Sequence, residues 1–332
     1  MSPTAPPMLR PDQLAYLYQV RAANAIFASS VELGVLDRLA RGPVEAEDLA
    51  RECGIREEIA PALLNALASL GLAEPSSHGS FVGVTDELPD LLAFLHRFDA
   101  FTDGLLRRPE PPPQAPPGAD EAFGQTVRPL ANLCAAAIPP AIEHLGGAGP
   151  RVLDLGAGAA PWSLALAGAD PEVVVTAVDL PAVLPVTRRA VAAAGREAQF
   201  RFVESDMFSV ALEEAAFDLV ILGSVCHLFD DATNRVLLGR VARWLAPGGT
   251  AAVIDFLPNE RRDGPREVVV YAVDLVRRMP AGGVYPFSAY AGWLRESGFE
   301  GIERVELASC PQVTLVRGRR PGQPSLPGGL WP

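Results

Sequence analysis

The residue in this sequence that is best suited to take part in a reaction is His227, one of only 4 histidines among 332 residues. It follows the apolar run FDLVILGSVC, which is typical of a buried strand, and it precedes the acidic pair Asp230 and Asp231. An imidazole titrates near neutral pH and can accept a proton from a hydroxyl group. His227 is therefore a candidate general base or substrate-orienting residue. The alternative is a structural residue that ends a strand or merely lines a pocket.

Three aspartates occupy comparable positions after other strand-like runs. Asp154 closes RVLDL, Asp179 closes VVVTAVDL, and Asp206 follows AQFRFVES. Open α/β sheets bind ligands at the carboxyl ends of their strands, so we expect these side chains to share one pocket. Taken singly, each has a structural alternative, because Asp179 can cap the next helix and Asp206 can be a turn residue.

The turn after the first strand, GAGAAPW, indicates what kind of ligand the pocket accepts. Gly156 and Gly158 allow a sharp turn and a close approach of the backbone to a ligand. The third glycine of a dinucleotide fingerprint is replaced by Ala160, and Pro161 follows at once. The Asp154 carboxylate would repel a pyrophosphate, whereas it would suit an ammonium group.

The other two aspartates suit the parts of a nucleoside. A carboxylate at the tip of the second strand, Asp179, can accept hydrogen bonds from both hydroxyls of a ribose. Asp206 can accept one from an adenine amino group while Met207 packs on the ring. The pattern therefore predicts a ligand with an ammonium group, a ribose and an adenine.

The elements that must position these residues alternate between strand and helix from Arg151 onward. This alternation predicts a mostly parallel, doubly wound sheet with helices on both faces, hence an α/β fold. The end of the chain, FEGIERVELASCPQVTLVRGR, reads as a final antiparallel hairpin. Residues 12–85 show a different order, namely helix, short helix, helix and hairpin, which is the winged-helix order.

Changes in composition predict the domain boundaries. We expect a winged-helix-like domain over residues 12–100 and a Pro-rich linker with connecting helices over 101–148. A ligand-binding domain follows over 149–318, and a disordered tail over 319–332. Pro139 and Pro140 are expected to kink or divide the last connecting helix.

Composition argues against several classes of partner. The net charge of −12 disfavours nucleic acid, and the third helix of the winged-helix-like domain pairs Arg56 with Glu57 and Glu58. The 4 cysteines form no C-x-x-C pair, so we expect reduced thiols and no metal site. The sequence shows neither a signal-peptide pattern nor an apolar run long enough for a membrane span, which favours the cytoplasm.

The motifs VLDLGAG, AVDLPAV, SDMF, CH and LAPGG, in this order behind a winged-helix-like domain, carry a family resemblance. The chain resembles the S-adenosylmethionine-dependent small-molecule O-methyltransferases of the caffeic-acid and hydroxyneurosporene type, including bacterial natural-product relatives. The resemblance spans roughly residues 15–317. It implies a Rossmann-like class I methyltransferase domain and an N-terminal dimerisation domain, hence a homodimer. It also implies S-adenosyl-L-methionine as methyl donor, S-adenosyl-L-homocysteine as product, and a hydroxyl on an aromatic or polyketide-like small molecule as acceptor.

The resemblance also implies roles for individual residues. His227 falls on the catalytic base and Asp255 on the carboxylate that orients it, although Asp255 can equally be a turn residue. The family has an acid directly after the histidine, where this chain has Leu228. The implied cofactor-binding residues are Asp154, Gly156, Gly158, Asp179, Leu180, Asp206, Met207, Phe208, Gly223 and Ser224. The implied substrate-binding residues are Phe123, Tyr271, Asp274, Met279 and Tyr285.

Several functions share this pattern. Methyl transfer to carbon or nitrogen would use the same cofactor and need no strong base. A non-methylating relative, such as a cyclase or a hydroxylase-type enzyme, would retain the cofactor for its charge. A winged-helix regulator that senses a metabolite is a third alternative. The sequence favours O-methylation in secondary metabolism but identifies neither the acceptor nor the position that is methylated.

Overall fold

The structure is a computed structural model that describes residues 11–76, 79–83, 134–279 and 281–322. Contacts between Cα atoms divide the chain into two compact units, Met1–Arg97 and Phe98–Pro332. None of the described helices is long and apolar enough to cross a membrane.

The N-terminal unit has the predicted order of helices followed by a hairpin, with four helices because the first predicted helix is interrupted at Gly34. Its elements are α1 (Pro11–Glu32), α2 (Val35–Ala40), α3 (Ala46–Cys53), α4 (Ala60–Ser69), β1 (Ala73–Pro75) and β2 (Phe81–Gly83). The strands β1 and β2 pair antiparallel. Leucine side chains from three of the helices are fully buried and form the centre of its core, namely Leu36, Leu39, Leu49, Leu64 and Leu67. Leu17 and Val20 of α1, by contrast, are 52% and 47% exposed.

The C-terminal unit is built on a seven-stranded sheet. Its strands are β3 (Arg151–Leu155), β4 (Val174–Asp179), β5 (Phe200–Glu204), β6 (Phe217–Gly223), β7 (Leu245–Phe256), β8 (Glu300–Glu306) and β9 (Val313–Arg319). They are arranged in the order β5-β4-β3-β6-β7-β9-β8. The strands β3 to β7 are parallel, whereas β9 pairs antiparallel with both β7 and β8. The predicted parallel sheet with a final antiparallel hairpin is therefore confirmed.

The strand order reverses between β3 and β6, because the chain moves outward from β3 to β5 and then returns to pair β6 with β3. A crevice forms at such a reversal, outside the carboxyl ends of the strands, because the connections on its two sides diverge. The residues that follow β3, β4 and β6 therefore surround one crevice. Several candidate residues of the sequence analysis, among them Gly156, Leu180 and His227, lie at these positions.

Helices cover both faces of the sheet. They are α5 (Ile138–Leu145), α6 (Pro161–Ala169), α7 (Leu184–Ala193), α8 (Asp231–Trp244), α9 (Arg266–Arg278) and α10 (Phe287–Glu296). Successive strand residues point to opposite faces, so Ile221 belongs to the core with α5 and α6 while Leu222 belongs to the core with α8 and α10. With both faces buried, the central strands β3, β4, β6 and β7 are mostly apolar, whereas the edge strands β5 and β8 carry exposed charged residues.

Of the two alternatives for Pro139 and Pro140, the structure shows division and no kink. Both prolines lie in the first turn of α5, directly after a short 3-10 helix at Ala135–Ala137. A first-turn residue has no intrahelical acceptor for its N–H group, so proline fits there without loss. The segment predicted as linker and connecting helices lies mostly outside the described residues, and so does the end of the predicted tail.

Candidate active site

The turn after β3 requires glycine at its first position. Gly156 has a φ of 74°, and a Cβ atom there would lie 2.8 Å from Val225 Cγ2. The methyl group of Met207 is also close, since the same Cβ would lie 3.3 Å from its Cε. The absence of a side chain at Gly156 thus lets the ends of three strands, β3, β5 and β6, approach one another.

Asp179 connects the end of β4 to this turn. One carboxylate oxygen accepts a hydrogen bond from Gly158 N and the other from Leu180 N, both at 2.7 Å. Burial raises the pKa of Asp179, and the two backbone hydrogen bonds oppose that shift. Each oxygen keeps a further lone pair, so the carboxylate can still accept from ribose hydroxyls.

Asp154 lies beneath the turn, where it is 1% exposed. Ser163 Oγ, from the first turns of α6, donates to its carboxylate, so the pair connects β3 to the helix that follows it. Burial raises the pKa of Asp154 to about 7 despite that hydrogen bond. The contact of Asp154 with an ammonium group stays a prediction.

The turn after β5 is organised by Asp206, whose Oδ1 accepts from Phe208 N at 2.6 Å. Within the described part of the chain, Oδ2 has no hydrogen-bond partner, and the residue is exposed. The Phe208 ring meets the Phe229 ring edge-to-face, with centroids 5.1 Å apart. The predicted adenine position is therefore in contact with the loop that carries His227.

Gly223 and Ser224 form the corresponding bend after β6. A Cβ atom at Gly223 would collide with the indole of Trp162, a buried residue of α6, so only glycine fits. Ser224 has a φ of 57°, in the left-handed region that few non-glycine residues adopt. Such strained positions cluster at functional sites.

His227 and Asp255 are brought together across β6 and β7, although 28 residues separate them in the chain. His227 Nδ1 lies 2.5 Å from Asp255 Oδ1, and His227 N donates to Oδ2 at 3.1 Å. Asp255 is fully buried and His227 is 3% exposed. Because a carboxylate accepts hydrogen bonds, the ring proton belongs on Nδ1, and Nε2 keeps its lone pair as the basic atom.

Two tyrosines extend this pair, and the sequence analysis missed one of them. Tyr290 of α10 donates from its hydroxyl to Asp255 Oδ2 at 3.0 Å, and burial raises its pKa well above the usual value. Tyr271 of α9 places its hydroxyl 2.9 Å from His227 Nε2. Tyr290 has no motif around it, so only its position on the buried face of an amphipathic helix could have indicated it.

The acidic residues after His227 do not face the imidazole. Asp230 is the N-cap of α8, where its Oδ1 accepts from Thr233 N at 2.8 Å, and hydrogen bonds from the side chain and the backbone of Thr233 lower its pKa. Asp231 accepts from Trp293 Nε1 at 2.7 Å and from Arg235. Both carboxylates stabilise the start of α8, so Asp255 is the acid that contacts His227.

Asn234, which the sequence analysis also missed, holds the His227 loop in place. Its fully buried amide nitrogen lies within hydrogen-bonding distance of the carbonyl oxygens of Cys226, Phe229 and Asp230. Tyr285, predicted to bind substrate, donates from its hydroxyl to Phe229 O at 2.8 Å. The loop is therefore fixed from α8 and from the segment before α10.

The structure describes only part of the remaining predicted substrate-binding residues. Phe123 lies outside the described residues, and of Asp274 only the backbone, in α9, is described. Met279 is half-buried directly after α9, beside Gly282. No group of three metal-binding side chains occurs within the described ranges.

The crevice fits the parts of S-adenosylmethionine. The glycine turn leaves space that a Cβ atom would fill, and Asp179 and Asp206 retain free acceptor positions at successive strand ends. A parallel sheet of this order, with an antiparallel final strand pair and carboxylates at these positions, defines the class of S-adenosylmethionine-dependent methyltransferases.

Comparison with known proteins gives the family within this class. The family model described as the O-methyltransferase domain matches residues 118–300, more than half of the chain, and the O-methyltransferase dimerisation domain matches residues 15–85. The chain belongs to the O-methyltransferase family.

Two full-length relatives and one solved structure illustrate the similarity. The chain is 26% identical to a 3-hydroxy-5-methyl-1-naphthoate 3-O-methyltransferase of Streptomyces sahachiroi, over 94% of this chain and 95% of the relative. It is 25% identical to the tetracenomycin polyketide synthesis 8-O-methyl transferase TcmO of Streptomyces glaucescens, over 94% and 97%. The human N-acetylserotonin methyltransferase, solved in complex with S-adenosylmethionine, shares the fold with a TM-score of 0.67 at 22% identity, over 96% and 100%.

Proposed function

We propose that this methyltransferase transfers a methyl group to a hydroxyl on a fused aromatic or polyketide-like small molecule in secondary metabolism. The observation that carries the proposal is the buried His227–Asp255 pair beside the glycine turn, because a hydroxyl acceptor needs a base. The two Streptomyces relatives, whose names give a naphthoate and a polyketide as substrates, support this class of acceptor.

The cofactor residues have separable roles in this proposal. Asp179 holds the ribose through lone pairs that its two backbone contacts leave free. Asp206 accepts from the adenine amino group, while Met207 and Phe208 provide apolar surface at the same turn. Asp154 with the Gly156–Gly158 turn forms the end that receives the ammonium group, and Leu180, Gly223 and Ser224 complete the wall. S-adenosylmethionine supplies an electrophilic methyl group on its sulfonium.

His227 and Asp255 provide the proton chemistry. His227 Nε2 accepts the acceptor's proton, and the resulting imidazolium is paired with the Asp255 carboxylate through Nδ1. Because both residues are buried and held by backbone contacts, the base is oriented before the acceptor binds. Orientation and proximity provide most of the acceleration, and proton removal provides a smaller part.

The N-terminal unit is proposed to form a homodimer. Residues 15–85 match the family's dimerisation domain, and α1 exposes apolar side chains such as Leu17 and Val20. Apolar side chains that are exposed on one chain are commonly covered in an oligomer. The absence of nucleic-acid partners and a cytoplasmic location stay predictions from the sequence.

Mass analysis of products tests the proposed function. The purified chain, S-adenosylmethionine and a panel of naphthols and hydroxynaphthoates should give methyl ethers, and His227→Ala should lose about 100-fold or more in kcat. Calorimetry should show unchanged cofactor binding in this variant. Methylation at carbon or nitrogen that His227→Ala retains would instead support the alternative acceptors. Cofactor binding without methylation of any probe would contradict methyl transfer.

A further inference from the structure

Arg262, in the turn between β7 and α9, presents a positive charge that no described residue neutralises. The charged side chains around it are engaged, since Arg261 pairs with Asp263 at 3.2 Å and Glu260 accepts from the backbone and the hydroxyl of Ser288. Arg262 itself is exposed and forms no side-chain hydrogen bond or ion pair within the part of the chain that the structure describes. Its guanidinium can therefore bind a ligand.

The turn holds Arg262 in a defined position. Arg262 N donates to Asn259 O at 2.9 Å, and Asn259 N donates to Gly264 O. The Asn259 side chain also exchanges two hydrogen bonds with Asp263, at 2.7 and 3.1 Å. Arg262 has a φ of 59°, in the left-handed region that costs energy for a residue with a long side chain. Backbone strain of this kind is concentrated at sites that bind ligands.

Arg262 lines a cavity of about 240 Å³. The other described residues of the cavity wall are uncharged, namely Pro258, Val269, Ala272, Gly283 and Val284. Complete pockets for small molecules occupy roughly 300–1,000 Å³, so this cavity suits one part of a ligand. An apolar wall with a single guanidinium fits an aromatic group that bears one negative charge.

The cavity adjoins the loop that carries His227. Gly283, in the cavity wall, donates from its backbone nitrogen to His227 O at 2.9 Å. Tyr285 donates from its hydroxyl to Phe229 O in the same loop. Burial raises the pKa of Tyr285, and the positive charge of Arg262 opposes that shift, so the guanidinium lies near this tyrosine. A molecule that reaches the base can therefore also reach Arg262.

The order of the strands separates Arg262 from the cofactor crevice. Along the carboxyl edge of the sheet, Asp206, Asp179 and Gly156 follow β5, β4 and β3, His227 follows β6, and the turn with Arg262 follows β7. Neighbouring strands lie about 4.8 Å apart, so the ends of β3 and β7 are about 10 Å from each other. This order indicates that an anionic group at Arg262 belongs to the acceptor and not to the methionine part of the cofactor.

We propose that Arg262 binds a carboxylate on the acceptor, so that the molecule to be methylated is a hydroxylated aromatic acid. The proposal rests on the proposed function and deepens it, because it names the class of acceptor. A guanidinium donates two parallel hydrogen bonds to the two oxygens of a carboxylate. It also balances the single charge of that group, whereas a phosphate would bring about two charges into a chain of net charge −12.

Binding at Arg262 orients the acceptor without taking part in the chemistry. A carboxylate held beside β7 directs the opposite end of a two-ring aromatic molecule toward the end of β6, where His227 lies. The carboxylate keeps its charge throughout the reaction, so its interaction with Arg262 is equally strong in the ground state and the transition state. Such an interaction lowers KM and leaves kcat nearly unchanged.

Steady-state kinetics with matched pairs of hydroxynaphthoates and hydroxynaphthamides test the proposal. The amide keeps the shape of the acid and removes its charge. Isomers in which this group is not adjacent to the hydroxyl avoid an internal hydrogen bond. We expect kcat/KM of the parent to favour the acid by about 10- to 100-fold, mainly through KM. Arg262→Met should lose this preference because KM for the acid rises, while its kinetics with the amide stay unchanged.

Two further variants control for the substitution. Arg261→Met makes the same change at the neighbouring residue, whose side chain is 82% exposed and pairs with Asp263, and it should keep the preference of the parent. Arg262→Lys keeps the charge but lacks the two parallel donors, so it should keep only part of the preference. Melting temperature and calorimetric affinity for S-adenosylmethionine should equal those of the parent in all three variants, which excludes a general loss of structure.

The outcomes distinguish the carboxylate site from the function on which it rests. An active parent that does not prefer the acid would overturn the site alone, and so would an Arg262→Met variant that keeps the preference or loses equally on acid and amide. Weaker binding of S-adenosylmethionine by Arg262→Met would assign Arg262 to the cofactor instead.

A parent that binds S-adenosylmethionine but methylates none of the probes would overturn the proposed function. Calorimetric titration of the parent and Arg262→Met with a hydroxynaphthoate, in the presence of S-adenosylhomocysteine, then tests the site by itself. Binding of the acid that is about 10-fold or more weaker in the variant would support the site. Equal affinity of the two proteins, or no binding by the parent, would overturn it as well.

Discussion

Four hydrogen-bond donors converge on the Asp255 carboxylate, and they explain how one acid can orient His227. Oδ1 accepts from His227 Nδ1 and Phe256 N, while Oδ2 accepts from His227 N and the Tyr290 hydroxyl. A buried carboxylate is tolerated only when such donors surround it. Since Asp255 and Tyr290 perform the orientation, Leu228 can stand where the resemblance implies an acid, and Asp230 and Asp231 are free to stabilise α8.

Asp154 makes the folding stability depend on pH. Burial raises its pKa from 3.8 to about 7, so between about pH 4 and pH 7 the folded state binds a proton that the unfolded state has lost. Its contribution to stability is complete below pH 4 and is lost as the pH rises toward 7. Asp154→Asn cannot ionise, so its free energy of unfolding should rise relative to the parent's across this window, by at most about 4 kcal/mol.

Urea unfolding of both proteins at pH 4.5 and pH 7.5 measures this difference. Asp170→Asn, the same change at an exposed residue just after α6, controls for the substitution itself. An Asp154→Asn variant whose stability relative to the parent is equal at both pH values would contradict the assignment.

At the scale of elements, Gly156 and Gly239 show that the effect of adding a side chain depends on the element in which the glycine lies. Gly156→Ala should lose about 1–3 kcal/mol of stability, because φ is 74° and the new Cβ atom would meet Val225. Its affinity for S-adenosylmethionine should also fall, since the turn must move to relieve the contact. Thermal unfolding and calorimetry measure the two effects.

Gly239→Ala is the matched control. Gly239 lies in the interior of α8, and a Cβ atom there would meet nothing within 4 Å. Alanine in a helix interior should stabilise the protein by about 0.5–1 kcal/mol, and cofactor affinity should stay unchanged. Equal behaviour of the two variants would show that the turn does not constrain the cofactor site.

The same scale shows why the order of residues along the chain leaves some contacts undetermined. Pro139 and Pro140 carry the same sequence signal whether they kink a helix or begin one, and the distinction depends on where the preceding 3-10 turn ends. Asp230 and Asp231 likewise follow His227 in the sequence, but α8 begins there and turns both carboxylates to its own N-terminus and to Trp293. Adjacency along the chain did not establish contact.

At the scale of the whole molecule, we predict that the chain forms a dimer and that α1 contributes to the contact. The full chain should elute as a dimer, and Leu17→Glu with Val20→Glu should shift it toward the monomer, because charges at apolar positions of an interface are costly. Multi-angle light scattering measures the mass directly. Val236→Glu, at a position of α8 that is 60% exposed, should remain dimeric. A parent that is monomeric at micromolar concentration would contradict the homodimer.

The sequence by itself determined the fold class and the candidate cofactor residues. Both depend on local pattern, since apolar runs of strand length end at Asp154, Asp179 and Asp206, and a glycine turn follows the first. In a parallel sheet, residues at such strand ends share one edge whatever the details of packing. Their place in the crevice could therefore be predicted from order alone.

Only the tertiary structure decided which side chains complete the His227–Asp255 pair that the resemblance implied. Tyr271 of α9 contacts His227 and Tyr290 of α10 contacts Asp255, at separations along the chain that no periodicity relates to either residue. Their convergence depends on the register of β6 against β7 and on how two helices pack over that edge of the sheet. Hydrogen bonds require distances within a few tenths of an ångström, and that precision arises from packing, which a single sequence does not display.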